Sequence, residues 1–173
     1  MAIPKKLTNF LEKNKIKHEQ IEHRVVYTAF DKATTLRVPA KIVGKTLTLK
    51  IDKGYALALI PANKNLDKKK FLKVANKWQG SRCLTPDVKH KIKRVDFVTE
   101  NWMKKNIKGV KLGAVPPFGN LWKLPTFIDR FLINQSKIIV NGGNWRNSIK
   151  ISPAVFRKTI PDLIIGSFTK ARP

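Results

Sequence analysis

Ile42-Val43-Gly44-Lys45-Thr46-Leu47-Thr48-Leu49-Lys50-Ile51 alternates apolar and polar side chains, breaks at Asp52-Lys53-Gly54, and resumes as Tyr55-Ala56-Leu57-Ala58-Leu59-Ile60. A period of two sends successive side chains to opposite faces, so the two runs predict strands joined by a glycine-containing hairpin turn. Pro61 closes the pair, since a proline lacks the N–H that a further ladder bond needs. Downstream, Phe71, Leu72, Val74, Ala75 and Trp78 recur at helical intervals among lysines, predicting a surface helix with a basic face between Leu66 and Trp78. A helical turn is expected over Pro86 to Ile92 and a strand over Val95 to Val98. Thr99 then caps a helix that runs to Lys108, with Gly109 as its C′ residue.

On the N-terminal side, Pro4 stands at a first-turn position, and Leu7, Phe10 and Leu11 give an amphipathic helix ending near Asn14. Ile16 to His23 alternates as a strand, and Thr28 opens a short helix that must end before Pro39. On the C-terminal side, strands are expected over Leu121 to Ile128, Lys137 to Asn141 and Ser148 to Ile151. A helical turn falls at Asp129 to Asn134, a Gly142-Gly143-Asn144 turn precedes Ser148, and Ser152-Pro153 opens a last helix. Strands mixed with short helices define an α+β domain with a curved, mixed or largely antiparallel sheet.

The chain of 173 residues carries 36 Lys+Arg against 11 Asp+Glu, a formal net charge of +25. Such a field attracts polyanions, and RNA fits better than lipid because no segment approaches the roughly 20 apolar residues that cross a bilayer. The N-terminus lacks the apolar core of a secretory signal, so a cytoplasmic location is expected, with no membrane partner. Length and a 42% hydrophobic content point to a single domain over residues 1–173. One cysteine, Cys83, and three scattered histidines offer no metal-ligand spacing, so neither a metal nor another cofactor is expected.

Gly113-Ala114-Val115-Pro116-Pro117-Phe118-Gly119 packs two permissive residues and two locked ones into seven positions. Glycine accepts φ > 0 and close approach, while each proline fixes its own φ and removes a donor. The N–H groups of Ala114 and Val115 are therefore expected to point in set directions, which suits a carbonyl or oxyanion. The plainer alternative is a tight helix-to-strand connection.

Lys45-Thr46-Leu47, the Gly113 to Gly119 loop, Ile128-Asp129 and Val140-Asn141-Gly142-Gly143, in that order, resemble the YbaK/prolyl-tRNA-synthetase-associated editing domains over roughly residues 5 to 165. The resemblance implies a strongly curved, barrel-like sheet ringed by short helices. It also implies an aminoacyl-tRNA deacylase that removes a wrong amino acid in trans, with alanyl- or cysteinyl-tRNA of the proline type as substrate. Its partners would be the 3′-terminal aminoacyl-adenosine of tRNA and an associated aminoacyl-tRNA synthetase. Oligomeric state is not legible. The catalytic set it implies is Lys45 with Gly113, Ala114, Val115 and Pro117, and the substrate-binding set is His23, Phe30, Thr46, Phe118, Gly119, Asn141, Gly142 and Gly143. Asn141 stands where relatives often carry serine. His23 and Phe30 each have a structural alternative, as a satisfied polar residue and as core.

The lysines Lys68, Lys69, Lys70, Lys73 and Lys77, with Arg146, are the expected tRNA contacts, Trp145 beside Arg146 being the best base-stacking candidate. Asp129 is expected to hold architecture, and no carboxylate pair at catalytic spacing is evident, so substrate hydroxyl assistance and backbone positioning take the place of a side-chain base. The rival reading is a non-catalytic nucleic-acid-binding protein that keeps the fold.

Overall fold

The computed structural model describes residues 2–52, 54–81 and 91–173. Cys83 and most of the turn expected over 86–92 lie outside these residues. In chain order the elements are α1 (Lys5–Lys13), β1 (Glu19–Glu22), α2 (Ala29–Leu36), β2 (Gly44–Ile51), β3 (Gly54–Pro61), β4 (Lys64–Leu66), α3 (Lys68–Ser81), β5 (Val95–Phe97), α4 (Glu100–Asn106), β6 (Thr126–Asp129), α5 (Arg130–Ile133), β7 (Ile138–Asn144), β8 (Asn147–Ile151), α6 (Pro153–Thr159), β9 (Ile164–Gly166) and β10 (Thr169–Ala171). Among the described residues, no helix is long and apolar enough to cross a membrane.

The predicted hairpin is the centre of the molecule. β2 and β3 pair antiparallel from Gly44 opposite Pro61 to Ile51 opposite Gly54. They sit inside a five-stranded sheet of order β5-β2-β3-β6-β9, in which β3, β6 and β9 run parallel. Both faces of this sheet are covered, which explains why Ala56 to Ile60 are all wholly buried. One face packs Leu59 and Ile128 against α1 and α6 through Leu7, Leu11 and Phe156. The opposite face packs Leu49, Ala58 and Phe127 against Phe71 and Ala75 of α3.

A second sheet, β1-β8-β7, is antiparallel, and β4 with β10 makes a third. The first two touch where Val43 and Ile139 form an isolated parallel bridge. The fold is thus α+β with mixed sheets, as expected, but the described strands divide into three sheets and close no barrel.

Local chemistry sets the helix starts where the sequence places them. The side chains of Thr28, Thr99 and Ser152 accept hydrogen bonds from the N–H groups of Asp31, Trp102 and Val155. Asp129, wholly buried, takes Phe131 N–H on one oxygen and Phe168 N–H on the other, both at 3.0 Å, so it holds α5 and the segment before β10 together.

Two expectations need correction. Leu121 and Trp122 lie in a 3-10 turn (Gly119–Trp122), and β6 begins only at Thr126. A Leu124 N–H to Gly119 carbonyl bond of 2.9 Å closes that turn before the strand can start. Gly142-Gly143-Asn144 is not a turn either. These residues complete β7, with an irregular register between Asn141 and Asn144, and Gly143 adopts φ 95°. The chain reverses at Trp145-Arg146 instead.

Candidate active site

Between β1 and α2 the chain crosses the β7–β8 hairpin as a strap. His23 N–H and Val26 N–H donate to the carbonyls of Arg146 and Trp145 at 2.9 and 3.0 Å. The buried His23 ring uses both nitrogens. Nδ1 lies 2.8 Å from the Arg24 carbonyl and Nε2 2.9 Å from Ser148 Oγ. A carbonyl can only accept, so Nδ1 carries the proton and Nε2 accepts from the Ser148 hydroxyl. Burial, with the nearby Lys32 charge adding to it, pushes the ring below the usual histidine range despite the Arg24 carbonyl, which keeps this neutral tautomer.

Lys32 is the residue that sequence reasoning missed. It is only 4% exposed, and its ammonium donates to Asn141 Oδ1 at 2.6 Å. Ser148 and Asn141 are cross-strand partners, so His23 and Lys32 dock side by side on one face of the β7–β8 ladder. Burial pushes the Lys32 ammonium down to about 8. A signal was available: Ala29, Ala33 and Leu36 trace the apolar face of α2, and Lys32 falls on the same face at helical spacing.

With its carbonyl oxygen held by Lys32, Asn141 turns its amide nitrogen to the loop, 3.4 Å from the Gly113 carbonyl and 3.3 Å from the Val115 carbonyl. Gly113 has φ 77°, which a glycine accepts without strain, and it lies against the Tyr27 carbonyl. The loop is rigid, but its amides are not all free. Ala114 N–H donates to the Lys111 carbonyl at 3.0 Å, whereas the Gly113 and Val115 N–H groups find no acceptor among the described residues. Pro116 and Pro117 are buried, which fixes the loop's far side.

Lys45 enters from the other wall. Val43 and Ile139 are bridged in parallel, which joins the start of β2, the strand of Lys45, to β7, the strand of Asn141. The half-buried Lys45 ammonium donates to the Lys64 carbonyl at 3.1 Å. Burial first, and the charge of Arg172 second, hold it below the usual lysine range. Arg172 spans the gap back to α2, donating to the Ala62 carbonyl at 3.4 Å while its guanidinium stands 5.0 Å from the centre of the Phe30 ring. The Lys64 ammonium stands 4.7 Å from the centre of the Phe131 ring. Arg172 thus stands beside Lys45 with the half-exposed Phe30 ring against it, and no carboxylate is paired to Lys45, Lys64 or Arg172 among the described residues.

Other expected residues are placed differently. Thr46 follows Lys45 in β2 and so projects to the opposite face, where its buried hydroxyl has no hydrogen-bond partner among the described residues. Phe118 is wholly buried, packed between Phe10 and Phe156 at ring separations of 5.7 and 5.5 Å, so it faces the core. Gly119 is walled by Thr126 and Leu124. The space beside Gly142 is filled by the Asn147 backbone and that beside Gly143 by Pro4. Phe30 is 48% exposed, so the core alternative does not hold for it.

Lys68, Lys69, Lys70, Lys73 and Lys77 all face solvent along α3, as does Arg146 at the hairpin tip. Lys70 donates to the Thr169 carbonyl at 3.2 Å, so the first turn of the basic helix is tied to the strand that leads to Arg172. The Trp145 indole N–H donates to the Leu112 carbonyl at 2.9 Å. Its ring meets Tyr27 edge-on at 5.0 Å, and Tyr27 itself is 65% exposed.

The aminoacyl-tRNA editing domain model matches residues 23–159, and the chain belongs to that family. Among solved structures, it is similar to the hypothetical protein APE2540, at 18% identity and a TM-score of 0.78, covering 96% of this chain and 100% of that one. It is also similar to a candidate trans-editing enzyme for prolyl tRNA synthetase, at 19% identity and a TM-score of 0.75, covering 96% of each chain. At these identities the two structures speak for the fold. No curated protein matches the chain.

Proposed function

We propose that the protein, acting in the cytoplasm as one editing domain over residues 1–173, hydrolyses the ester of mischarged tRNA in trans, without a cofactor. Alanyl- or cysteinyl-tRNA of the proline type is the substrate. What supports this reading is the Gly113 to Pro117 loop, held by Asn141 through two of its carbonyls, together with the Val43–Ile139 bridge that joins the strand of Lys45 to the strand of Asn141.

In this reading the 3′-terminal phosphate sits between Lys45 and Arg172, like charges whose repulsion an anion relieves, with Lys64 as a further cation on β4. The exposed rings of Phe30 and Phe131 flank it and offer faces to unstacked bases. The scissile carbonyl then lies toward the loop, where the Gly113 and Val115 N–H groups, unbonded among the described residues, stabilise the developing oxyanion. The substrate's own ribose hydroxyl assists the attacking water, since both His23 nitrogens are already bonded among the described residues. The exposed lysines of α3 and Arg146 track the phosphates of the acceptor arm.

The test is deacylation of alanyl-, cysteinyl- and prolyl-tRNA. Release of the amino acid that Lys45→Ala abolishes supports the enzyme. Salt-sensitive tRNA binding with no release from any charged tRNA favours the rival, a binding protein that keeps the fold. The commitment of Asn141 to Lys32, at a position where the resemblance leads one to expect serine, is the observation on that side.

A further inference from the structure

The geometry points to Lys32 as a positioning residue: through a buried hydrogen bond it fixes the Asn141 amide in the one orientation that holds the Gly113 to Val115 loop in its working shape. This inference rests on the deacylase reading for its kinetic test but has a second test that does not.

An asparagine side chain can be turned end for end with little change in shape, exchanging an acceptor for two donors. At Asn141 the two ends face opposite demands. On one side the Lys32 ammonium, which can only donate, lies 2.6 Å away. On the other side lie two carbonyl oxygens, Gly113 at 3.4 Å and Val115 at 3.3 Å, which can only accept. Turned over, the amide would set its oxygen against both carbonyls and its N–H₂ against the ammonium. The cation makes that orientation the costly one, and burial of both side chains leaves no water to soften the choice. A serine at this position, with one rotatable hydroxyl, could not satisfy the lysine and both carbonyls together. Lys32 and Asn141 therefore function as a pair.

The pair also lies where its effect is felt. The Gly113 carbonyl shares its peptide plane with the Ala114 N–H and the Val115 carbonyl shares its plane with the Pro116 nitrogen, which has no hydrogen, so Asn141 acts on the Val115 N–H by holding the peptide units on either side of it. The titratable group close to Lys32 is His23, held neutral on Ser148 in the same strap. Asp31, its neighbour in α2, is solvent-exposed at the helix start. No carboxylate is bonded to Lys32 among the described residues. When Lys32 loses its proton, the charge that makes a turned amide costly is gone and its lone pair can accept from one, so the lock on the loop weakens to what the two carbonyls alone supply. Burial brings that loss down to about pH 8.

The experiment compares wild type, Lys32→Met, Asn141→Ala and the double variant, with Lys32→Arg as the conservative replacement. On mischarged tRNA, Lys32→Met is expected to lower kcat about ten- to a hundredfold, the worth of one charge-assisted hydrogen bond, with KM nearly unchanged. The double variant should be no slower than Asn141→Ala alone, and Lys32→Arg should recover part of the rate. Independently of turnover, amide NMR of the free protein should show the Gly113, Ala114 and Val115 resonances moving together with a midpoint near pH 8 in wild type. Lys32→Met should show them fixed at the shifted position at all pH values. If wild type releases no amino acid, the deacylase reading fails while the NMR arm still decides on Lys32. Loop resonances unchanged by pH and by Lys32→Met overturn the proposal, as do Lys32→Met and Asn141→Ala rate losses that multiply in the double variant.

Discussion

Val43 and Ile139 lie side by side in a parallel bridge between two otherwise separate sheets. That contact joins β2, the strand of Lys45, to β7, the strand of Asn141, and Asn141 in turn holds the Gly113 to Val115 loop. The proposed function uses the basic field of the molecule, the cations at Lys45 and the Gly113 to Val115 loop together.

The three cations Lys45, Lys64 and Arg172 predict a graded response to salt. If Lys64 and Arg172 each contact a phosphate, Lys64→Ala and Arg172→Ala should each lower the magnitude of the slope of log affinity against log salt by about one for charged tRNA. Filter binding or fluorescence anisotropy between low and moderate salt measures this. Slopes equal to that of wild type would remove both residues from the phosphate path.

Burial of Lys32 predicts a specific pH dependence of stability. Its folded value is about 8 against 10.5 for the free side chain, so between these values the unfolded chain binds more protons than the folded one. Stability contributed by this group therefore rises with pH across that window, by about 3 kcal/mol in full. Below pH 8 the burial penalty is fully present. Lys32→Met should thus compare most favourably with wild type near pH 7 and lose that advantage by pH 10.5, as followed by urea denaturation at a series of pH values. A stability difference independent of pH would contradict a buried, strained ammonium.

Phe118 separates packing from binding. It is wholly buried between Phe10 and Phe156, so Phe118→Ala should cost about 3–5 kcal/mol of folding stability. Kinetic constants measured at a temperature where the variant remains folded should move little. A large rise in KM with normal stability would return Phe118 to the substrate pocket.

The parts of the fold that were legible in the sequence are those fixed by local chemistry. The β2–β3 hairpin follows from its alternation, and the starts of α2, α4 and α6 follow from capping by Thr28, Thr99 and Ser152. The Gly142-Gly143 pair was misleading because glycine marks an unusual backbone without saying which one. Here Gly143 takes a positive φ inside a strand, and Pro4, far away in sequence, packs where its side chain would be. The short strands β4, β9 and β10 have three residues each and carry no period of their own; their pairing partners define them. Within the candidate site, Lys45 and Gly113 were legible through family resemblance. Lys32 and Arg172 were not, because one lysine among so many is distinguished only by burial and one terminal arginine only by where its strand ends.

The most direct measurement is the rate at which Lys45→Ala releases amino acid from mischarged proline-type tRNA, compared with wild type under identical salt and pH. Lys45 is half-buried near the surface and holds one backbone carbonyl, so the variant should fold normally. The account predicts a loss of at least about a hundredfold in kcat/KM, the usual consequence of removing a group that stabilises developing charge. Release at the wild-type rate by a folded Lys45→Ala protein would contradict it.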